Sequence, residues 1–499
     1  MSAAFAFEFD RAQEVAAPSL SRAYPLVLDL DGTLLRTDLL LEAALQFLKR
    51  QPWGIFLLAA WLLRGVPHLK HQLARRCELA VELLPINERL VHYARAEADA
   101  GRMVVVATAA SGLLAEKVCA RFGFVSEVLA SCELRNLKGA SKAAALAKRF
   151  PHGFAYAGNA STDLHIWRQA RFGLFAGSQA RLAGQMAEAT VVEADFSVPP
   201  ADIRSWLRAC RVHQWAKNGL LFLPMLLAGQ VLDPQAWLAC VGAFLAIGLV
   251  ASGTYIINDL LDLEADRQHW SKRNRPFAAG VIGIPQAVLA STFLLASGLL
   301  LAAWAGGFAV ASIVALYCLV TLAYSLHLKR VPILDAVVLA GLFTLRLALG
   351  AGATGVALSA WLGVFSMFLF LSLALAKRST EIARKAASAC SASGAAYGRG
   401  YLPADASLVA SLGVAAAVAA VLVNVLYLVD EAFPTRLYAS PQMLWAAPVL
   451  IGLWLGRIWL LCGRGQLNDD PVVFAMTDRA SLALGGGVVL SFLAAGLIP

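Results

Sequence analysis

The chain shows two regimes of hydrophobic patterning. Up to about residue 205, short apolar runs alternate with charged stretches, as buried strands and amphipathic helices of an α/β domain do. After Lys217 the apolar runs lengthen, at about 218–232, 236–257, 285–305, 308–326, 332–351, 359–376, 407–428, 441–461 and 480–498. Most approach the roughly 20 residues that cross a bilayer, and the first is the shortest. The pattern predicts a tail over 1–21, an α/β domain over 22–200 and an all-α nine-helix transmembrane bundle over 205–499.

Composition agrees, with 59% apolar and 15% charged residues. Residues 1–22 carry charges and no apolar core, so no cleavable signal peptide is expected at the start. The eight cysteines are scattered without metal spacing and read as reduced, mostly buried small residues.

The net charge of +9 does not point to nucleic acid, because the basic residues cluster beside the apolar runs. Arg204, Arg208, Arg211 and Lys217 precede the first run, the 267–275 cluster follows the second, and Lys329 and Arg330 follow the fourth. Lys377, Arg378, Arg384, Lys385 and Arg399 follow the sixth, and Arg457, Arg464 and Arg479 lie between the last two. The opposite connections contain only Arg436. The positive-inside rule then predicts an inner (plasma) membrane protein with a cytoplasmic N-terminal domain and an outside C-terminus.

The densest chemistry is Asn258-Asp-Leu-Leu-Asp-Leu-Glu-Ala-Asp266, between two apolar runs. On a helix, Asn258, Asp262 and Asp266 fall four residues apart and Asp259 lies within three of Asp262, so one face gathers hard oxygen ligands. Such ligands suit Mg²⁺, which leaves coordination positions for substrate phosphates. Arg267, Lys272, Arg273 and Arg275 follow and are candidates to hold the remaining phosphate oxygens. Solvated loop charges, or a sodium or proton site in a transporter, are the alternatives.

Asn258-Asp259-x-x-Asp262-x-x-x-Asp266 followed by Arg275-Pro276 resembles the first metal motif of the UbiA superfamily of intramembrane transferases, over about 205–499. A narrower resemblance, to decaprenyl-phosphate phosphoribosyltransferases, rests on Gln214-Trp215-Ala-Lys217-Asn218, on Tyr324-Ser325-Leu-His-Leu-Lys329-Arg330 with Asp335, on Lys377-Arg378-x-x-Glu381, and on Asp470-Pro471-Val472 with Asp478-Arg479. It implies transfer of 5-phosphoribose from phosphoribosyl pyrophosphate to a polyprenyl phosphate. Mg²⁺ would sit at Asp259, Asp262 and Asp266. Lys217, Asn218, Asn258, Arg267, Lys272, Arg275, Tyr324, Lys329, Asp335, Lys377, Arg378 and Glu381 would bind substrate. Arg346, a cation inside the fifth run, needs a partner or ligand, and a substrate role is favoured over a structural pair with Asp335.

In the N-terminal region, Leu26-Val-Leu-Asp29-Leu-Asp31-Gly32-Thr33 reads as a strand ending in an acidic loop. Val104-Val-Val-Ala-Thr108-Ala-Ala-Ser111 ends in hydroxyls, Leu137-Lys138-Gly139 opens a helix, and Ala155-Tyr-Ala-Gly158-Asn159-Ala-Ser-Thr-Asp163 ends in an acid. These motifs resemble the haloacid dehalogenase (HAD) phosphatases, whose fold is Rossmannoid. The resemblance implies Asp29 as nucleophile, Asp31 as acid/base, Thr108 as phosphate ligand, Lys138 as stabilising cation and Asp163 as an acid near Mg²⁺. That second Mg²⁺ would use Asp29, Asp31 and Asn159; Asn159 stands where an acid is usual, which implies weaker metal affinity.

Residues 38–100 look like a helical cap. Within it, Trp53 to Leu63 carries no charge and is too short to span; buried packing and contact with a membrane surface both stay open. Together the resemblances imply a bifunctional membrane enzyme that makes a phosphoribosyl lipid and removes its 5-phosphate. The alternatives are a UbiA-type prenyltransferase on an aromatic acceptor and a transporter or scaffold with a regulatory HAD-like domain. Homo-oligomerisation is left open.

Overall fold

In the computed structural model, residues 21–133, 135–387, 400–434, 438–467 and 471–497 are described. The N-terminal tail up to residue 20, the Lys385 side chain, Cys390, Arg399, Arg436 and Asp470 lie outside the described residues.

Six strands form one parallel sheet: β1 (Leu26–Leu28), β2 (Val104–Ser111), β3 (Glu127–Ser131), β4 (Ala155–Gly158), β5 (Phe172–Phe175) and β6 (Val191–Asp195), in the order β3-β2-β1-β4-β5-β6. The Leu-Val-Leu of β1 is apolar throughout because both sheet faces are covered. Leu26 and Leu28 join one core cluster and Val27 the other, all three at 0% exposure. Register pairs Leu26 with Val104 on one side and Ala155 on the other. The connections after β1, β2 and β4 therefore emerge at the same carboxyl edge, where the strand order reverses and ligands ordinarily bind.

Between β1 and β2 the chain forms helices Leu39–Arg50, Ile55–Leu63, Val66–Arg76 and Glu88–Asp99. Asp38 caps the first by accepting from the Leu41 backbone N–H at 3.0 Å. In helix Ile55–Leu63 only Trp61 is buried, its ring tilted against Phe47 with centroids 5.3 Å apart. Phe56 is 70% and Leu63 90% exposed, so buried packing explains Trp61, with Leu58 partly packed beside it, and leaves Trp53, Ile55, Phe56, Leu57, Leu62 and Leu63 exposed.

Seven helices among the described residues are long and apolar enough to cross a membrane: Pro234–Leu261, Ile284–Leu326, Leu334–Thr354, Ala360–Arg384, Pro403–Ala432, Pro441–Gly463 and Arg479–Gly496. The chain is a multi-pass membrane protein. Ile284–Leu326, 43 residues long, breaks at Gly306 and at Gly307, whose φ of 62° only glycine adopts cheaply, so it supplies two of the nine expected runs. The first expected run, 218–232, forms no spanning helix. It lies in the short pieces Val212–Phe222, Leu223–Leu227 and Gln230–Leu232. Pro224 lacks a backbone N–H and Gly229 sits at φ 72°, and both interrupt helical continuity there.

The compact units do not follow the linear boundary near residue 205. One unit comprises residues up to Cys210 together with Ile256–Ala290, and the other Arg211–Tyr255 with Ser291 onward. The acidic motif thus folds with the N-terminal domain.

Candidate functional site

The carboxyl edge of the sheet opens into a cavity of about 680 Å³ lined by Asp29, Asp31, Lys138, Asn159 and Asp163, all expected from sequence. Asp29 Oδ1 accepts a hydrogen bond from Lys142 Nζ at 2.6 Å. Lys142 also donates to the Tyr156 hydroxyl at 3.0 Å, and that hydroxyl donates to Asp163 Oδ1 at 2.9 Å. Asp163 Oδ2 accepts from the backbone N–H groups of Asn159 and Ala160, both at 3.0 Å, so this acid shapes the loop after β4. Asn159 Oδ1 takes the Thr33 hydroxyl at 3.2 Å. Thr108 is fully buried and accepts from the Ala110 backbone N–H at 3.0 Å, leaving Ala109, Ala110 and Ser111 to face the cavity.

Burial separates the two leading acids. Desolvation raises Asp29 to about 6, against the opposing pull of Lys142. Desolvation, then repulsion from Asp38, raises Asp31 to about 8. Two neighbouring carboxyls with split affinities for a proton can serve as nucleophile and acid respectively. Buried acids of this kind also favour a nearby cation, and Asp29, Asp31 and the Asn159 amide oxygen are chemically suited to Mg²⁺.

The acidic motif keeps its helical spacing. Helix Pro234–Leu261 gives way at Asp262 (φ −103°) to Leu263–Gln268, yet Asp262 N–H still donates to Asn258 O at 3.0 Å and Asp266 N–H to Asp262 O at 2.8 Å. Asp259 and Asp266, 3% and 4% exposed, converge on one nitrogen: Arg275 Nη1 donates to Asp259 Oδ1 at 3.0 Å and to Asp266 Oδ2 at 2.6 Å. Asp262 instead pairs with Lys49 at 3.3 Å. Arg267 gives its terminal nitrogens to Glu42 at 3.1 and 2.6 Å and its Nε to Ala278 O at 3.1 Å. No three His, Cys, Asp or Glu side chains cluster at metal-binding distance among the described residues. Two carboxylates around a guanidinium nitrogen do form a place for positive charge. Mg²⁺ takes few protein ligands when substrate phosphates supply the others. Lys272 is half-buried in the same loop.

In the other unit, Arg346 is 5% exposed and uses all three of its nitrogens: Nε donates to Asn218 Oδ1 at 2.9 Å, Nη2 to the Tyr317 hydroxyl at 3.2 Å and Nη1 to Leu342 O at 2.5 Å. Lys217 Nζ lies 6.0 Å from the Phe343 ring centroid, and the Arg346 guanidinium 5.1 Å from it, so two cations approach one aromatic. Asp335 pairs with Arg378 Nε at 2.5 Å rather than with Arg346, and accepts from the Tyr401 hydroxyl at 2.6 Å. Arg378 completes its contacts with Glu381 at 2.8 Å and the Tyr324 hydroxyl at 3.3 Å. Lys329 and Lys377 are half-buried nearby in sequence.

Sequence reasoning missed Lys142, Tyr156, Arg36 and Lys70. Lys142 had a readable signal, since it falls with Ala143 and Leu146 on the buried face of helix Ala140–Arg149. A lysine on an apolar face needs an anion. Lys70 carried the same signal, falling with Leu73 and Ala74 on the buried face of helix Val66–Arg76, whereas Arg36, outside any helix or strand, carried none.

A sequence profile of the UbiA prenyltransferase family matches residues 220–482. A Sinorhizobium fredii protein described as uncharacterized, y4nM, is 39% identical over 482 residues, covering 95% of this chain and 91% of the relative. The nodulation protein NoeC of Azorhizobium caulinodans is 34% identical over 297 residues, covering 58% of this chain and 92% of NoeC. A decaprenyl-phosphate phosphoribosyltransferase of Corynebacterium glutamicum is 34% identical over 188 residues, or 37% of this chain and 57% of that enzyme. With the family profile matching more than half of its length, over helices of spanning length, the chain belongs to the UbiA prenyltransferase family.

Proposed function

We propose that the bundle transfers 5-phosphoribose from phosphoribosyl pyrophosphate to a polyprenyl phosphate. We further propose that the N-terminal domain is a HAD-type phosphatase that removes the 5-phosphate from the product. The observation that carries the reading is the convergence of Asp259 and Asp266 on one Arg275 nitrogen at the end of an apolar helix. The relatedness to a decaprenyl-phosphate phosphoribosyltransferase supports the choice of transferred group and acceptor.

Asp259, Asp262 and Asp266 would hold Mg²⁺. When bound, the ion supplies charge neutralisation to the departing pyrophosphate. Arg275 and Lys272 provide fixed positive charge for the same diphosphate. The bond from ribose C1 to the pyrophosphate oxygen breaks as a lipid phosphate oxygen bonds to C1. Arg346 and Arg378, hydrogen-bonded to neighbours through all three nitrogens, hold Asn218, Tyr324 and Glu381 in place.

In the phosphatase, Asp29 attacks the phosphorus of the 5-phosphate while Lys142 neutralises charge beside it. The P–O5 bond breaks and Asp31 protonates the leaving oxygen. Water then hydrolyses the aspartyl phosphate, with Asp31 taking its proton, and releases inorganic phosphate. The positive-inside pattern supports the reading that both sites face the cytoplasm.

The test is labelled phosphoribosyl pyrophosphate with polyprenyl phosphate and Mg²⁺ on the full chain in detergent. A radiolabelled lipid is expected. Absence of label, with transfer from a prenyl diphosphate to an aromatic acceptor, would show the alternative UbiA chemistry. Asp259→Asn should lower labelling about 100-fold or more, the scale of losing several kcal/mol of charge stabilisation.

A further inference from the structure

The cavity at the sheet edge is larger than a phosphomonoester requires; at about 680 Å³ it matches the roughly 300–1,000 Å³ of sites that take a whole small molecule. Asp29, Asp31 and Lys142 account for one phosphate. Two further cations, Arg36 and Lys70, line the same space and have no part in the chemistry assigned above.

Arg36 is held at its root. Its backbone N–H donates to Pro85 O at 2.8 Å. Gly280, at φ 68°, packs so closely that a Cβ there would lie 2.8 Å from Arg36 Cβ. Its Nε is buried and has no hydrogen-bond partner among the described residues. A buried, unpaired guanidinium donor is costly unless a ligand completes it. Lys70 Nζ donates to Ala109 O at 2.6 Å and Asn136 Oδ1 at 3.2 Å, and an ammonium has a third donor to give. The lining also has an apolar part, with Leu40, Ala43, Val66, Leu73 and Ile284.

We propose that Arg36, assisted by Lys70, forms a second anion subsite that selects phosphomonoesters carrying another phosphate group, the apolar wall receiving what lies beyond it. This rests on the phosphatase reading and names its substrate class: a pentose phosphorylated at both ends, such as a 5-phosphopentose joined through C1 to a lipid phosphate. The guanidinium fork matches a phosphate's paired oxygens.

The experiment compares ribose 1,5-bisphosphate with ribose 5-phosphate on the full chain with Mg²⁺, since the two differ only in the second phosphate. Wild type should favour the bisphosphate in kcat/KM by roughly 10-fold or more, and Arg36→Gln should bring the ratio close to one, the scale of a charge-assisted hydrogen bond. Arg36→Lys, which keeps the charge and loses the fork, should retain part of the preference and guards against a fold defect in the glutamine variant. Equal loss on both substrates in Arg36→Gln, or an unchanged ratio, would overturn the subsite, as would a wild type without preference. Hydrolysis of neither substrate by wild type would instead sink the phosphatase reading, and the subsite with it.

Discussion

The Arg267 guanidinium spends both terminal nitrogens on Glu42, and the two side chains are 7% and 6% exposed. The Thr37 hydroxyl adds a donor to the same carboxylate at 2.6 Å. Removing one partner of a buried pair strands the other, at about 3–5 kcal/mol. Glu42→Ala should therefore lower the thermal midpoint of the detergent-solubilised chain clearly, and Glu42→Gln, which keeps an acceptor, should lower it less. Equal midpoints for wild type and Glu42→Ala would show the pair to be energetically idle. Arg267 was read from sequence as a phosphate ligand because a basic run follows an acidic motif. Nothing within a few residues of position 267 reveals an acid more than two hundred positions earlier. Asp29 and Asp31 were legible because their motif is local, and Lys142 was half-legible on its helix face.

Among the elements, helix Ile55–Leu63 presents Trp53, Ile55, Phe56 and Leu63 with 82%, 56%, 70% and 90% exposure at and around it. Apolar side chains so displayed on a multi-pass membrane protein are suited to the interfacial layer of a bilayer. A polarity-sensitive dye on Phe56→Cys, with the chain in nanodiscs, should emit as in an apolar medium and be quenched by brominated lipid; water-like emission without quenching would count against it. The long spans could be read because runs near 20 apolar residues have few alternatives. The 218–232 run misled because its apolarity is right while Pro224 and Gly229 break its backbone. The same stretch is pinned by tertiary contact: a Cβ on Gly350 would meet Leu221 O at 1.7 Å. Gly350→Val should accordingly disrupt packing there and reduce the yield of folded chain, as read by size-exclusion chromatography.

On the scale of the whole molecule, the proposed function would put two activities on one chain, which would raise the effective concentration of the lipid product near the site that consumes it. Asp29→Asn should leave lipid labelling intact and accumulate 5-phosphoribosyl lipid, whereas wild type should yield the ribosyl lipid and inorganic phosphate. Mass spectrometry of extracted lipid separates the two by one phosphate, and identical phosphorylated lipid from both would break the coupling. Sequence order suggested two modules in tandem, but the folded units interleave, because Ile256–Ala290 closes with the N-terminal domain. Hydropathy reports which residues are apolar, not which partner a polar connection will choose.

That interleaving bears on how such a polypeptide could be inherited or dissected. A junction near residue 205 looks like the seam of a gene fusion, yet cutting there would leave the transmembrane piece with an orphaned Arg267 and an unsupported Gly280. The soluble piece would in turn lose the wall of its cavity built by Gly283, Ile284 and Pro285. A chimera that exchanges the N-terminal module between relatives must therefore carry the 256–290 stretch with it to keep the compact unit whole.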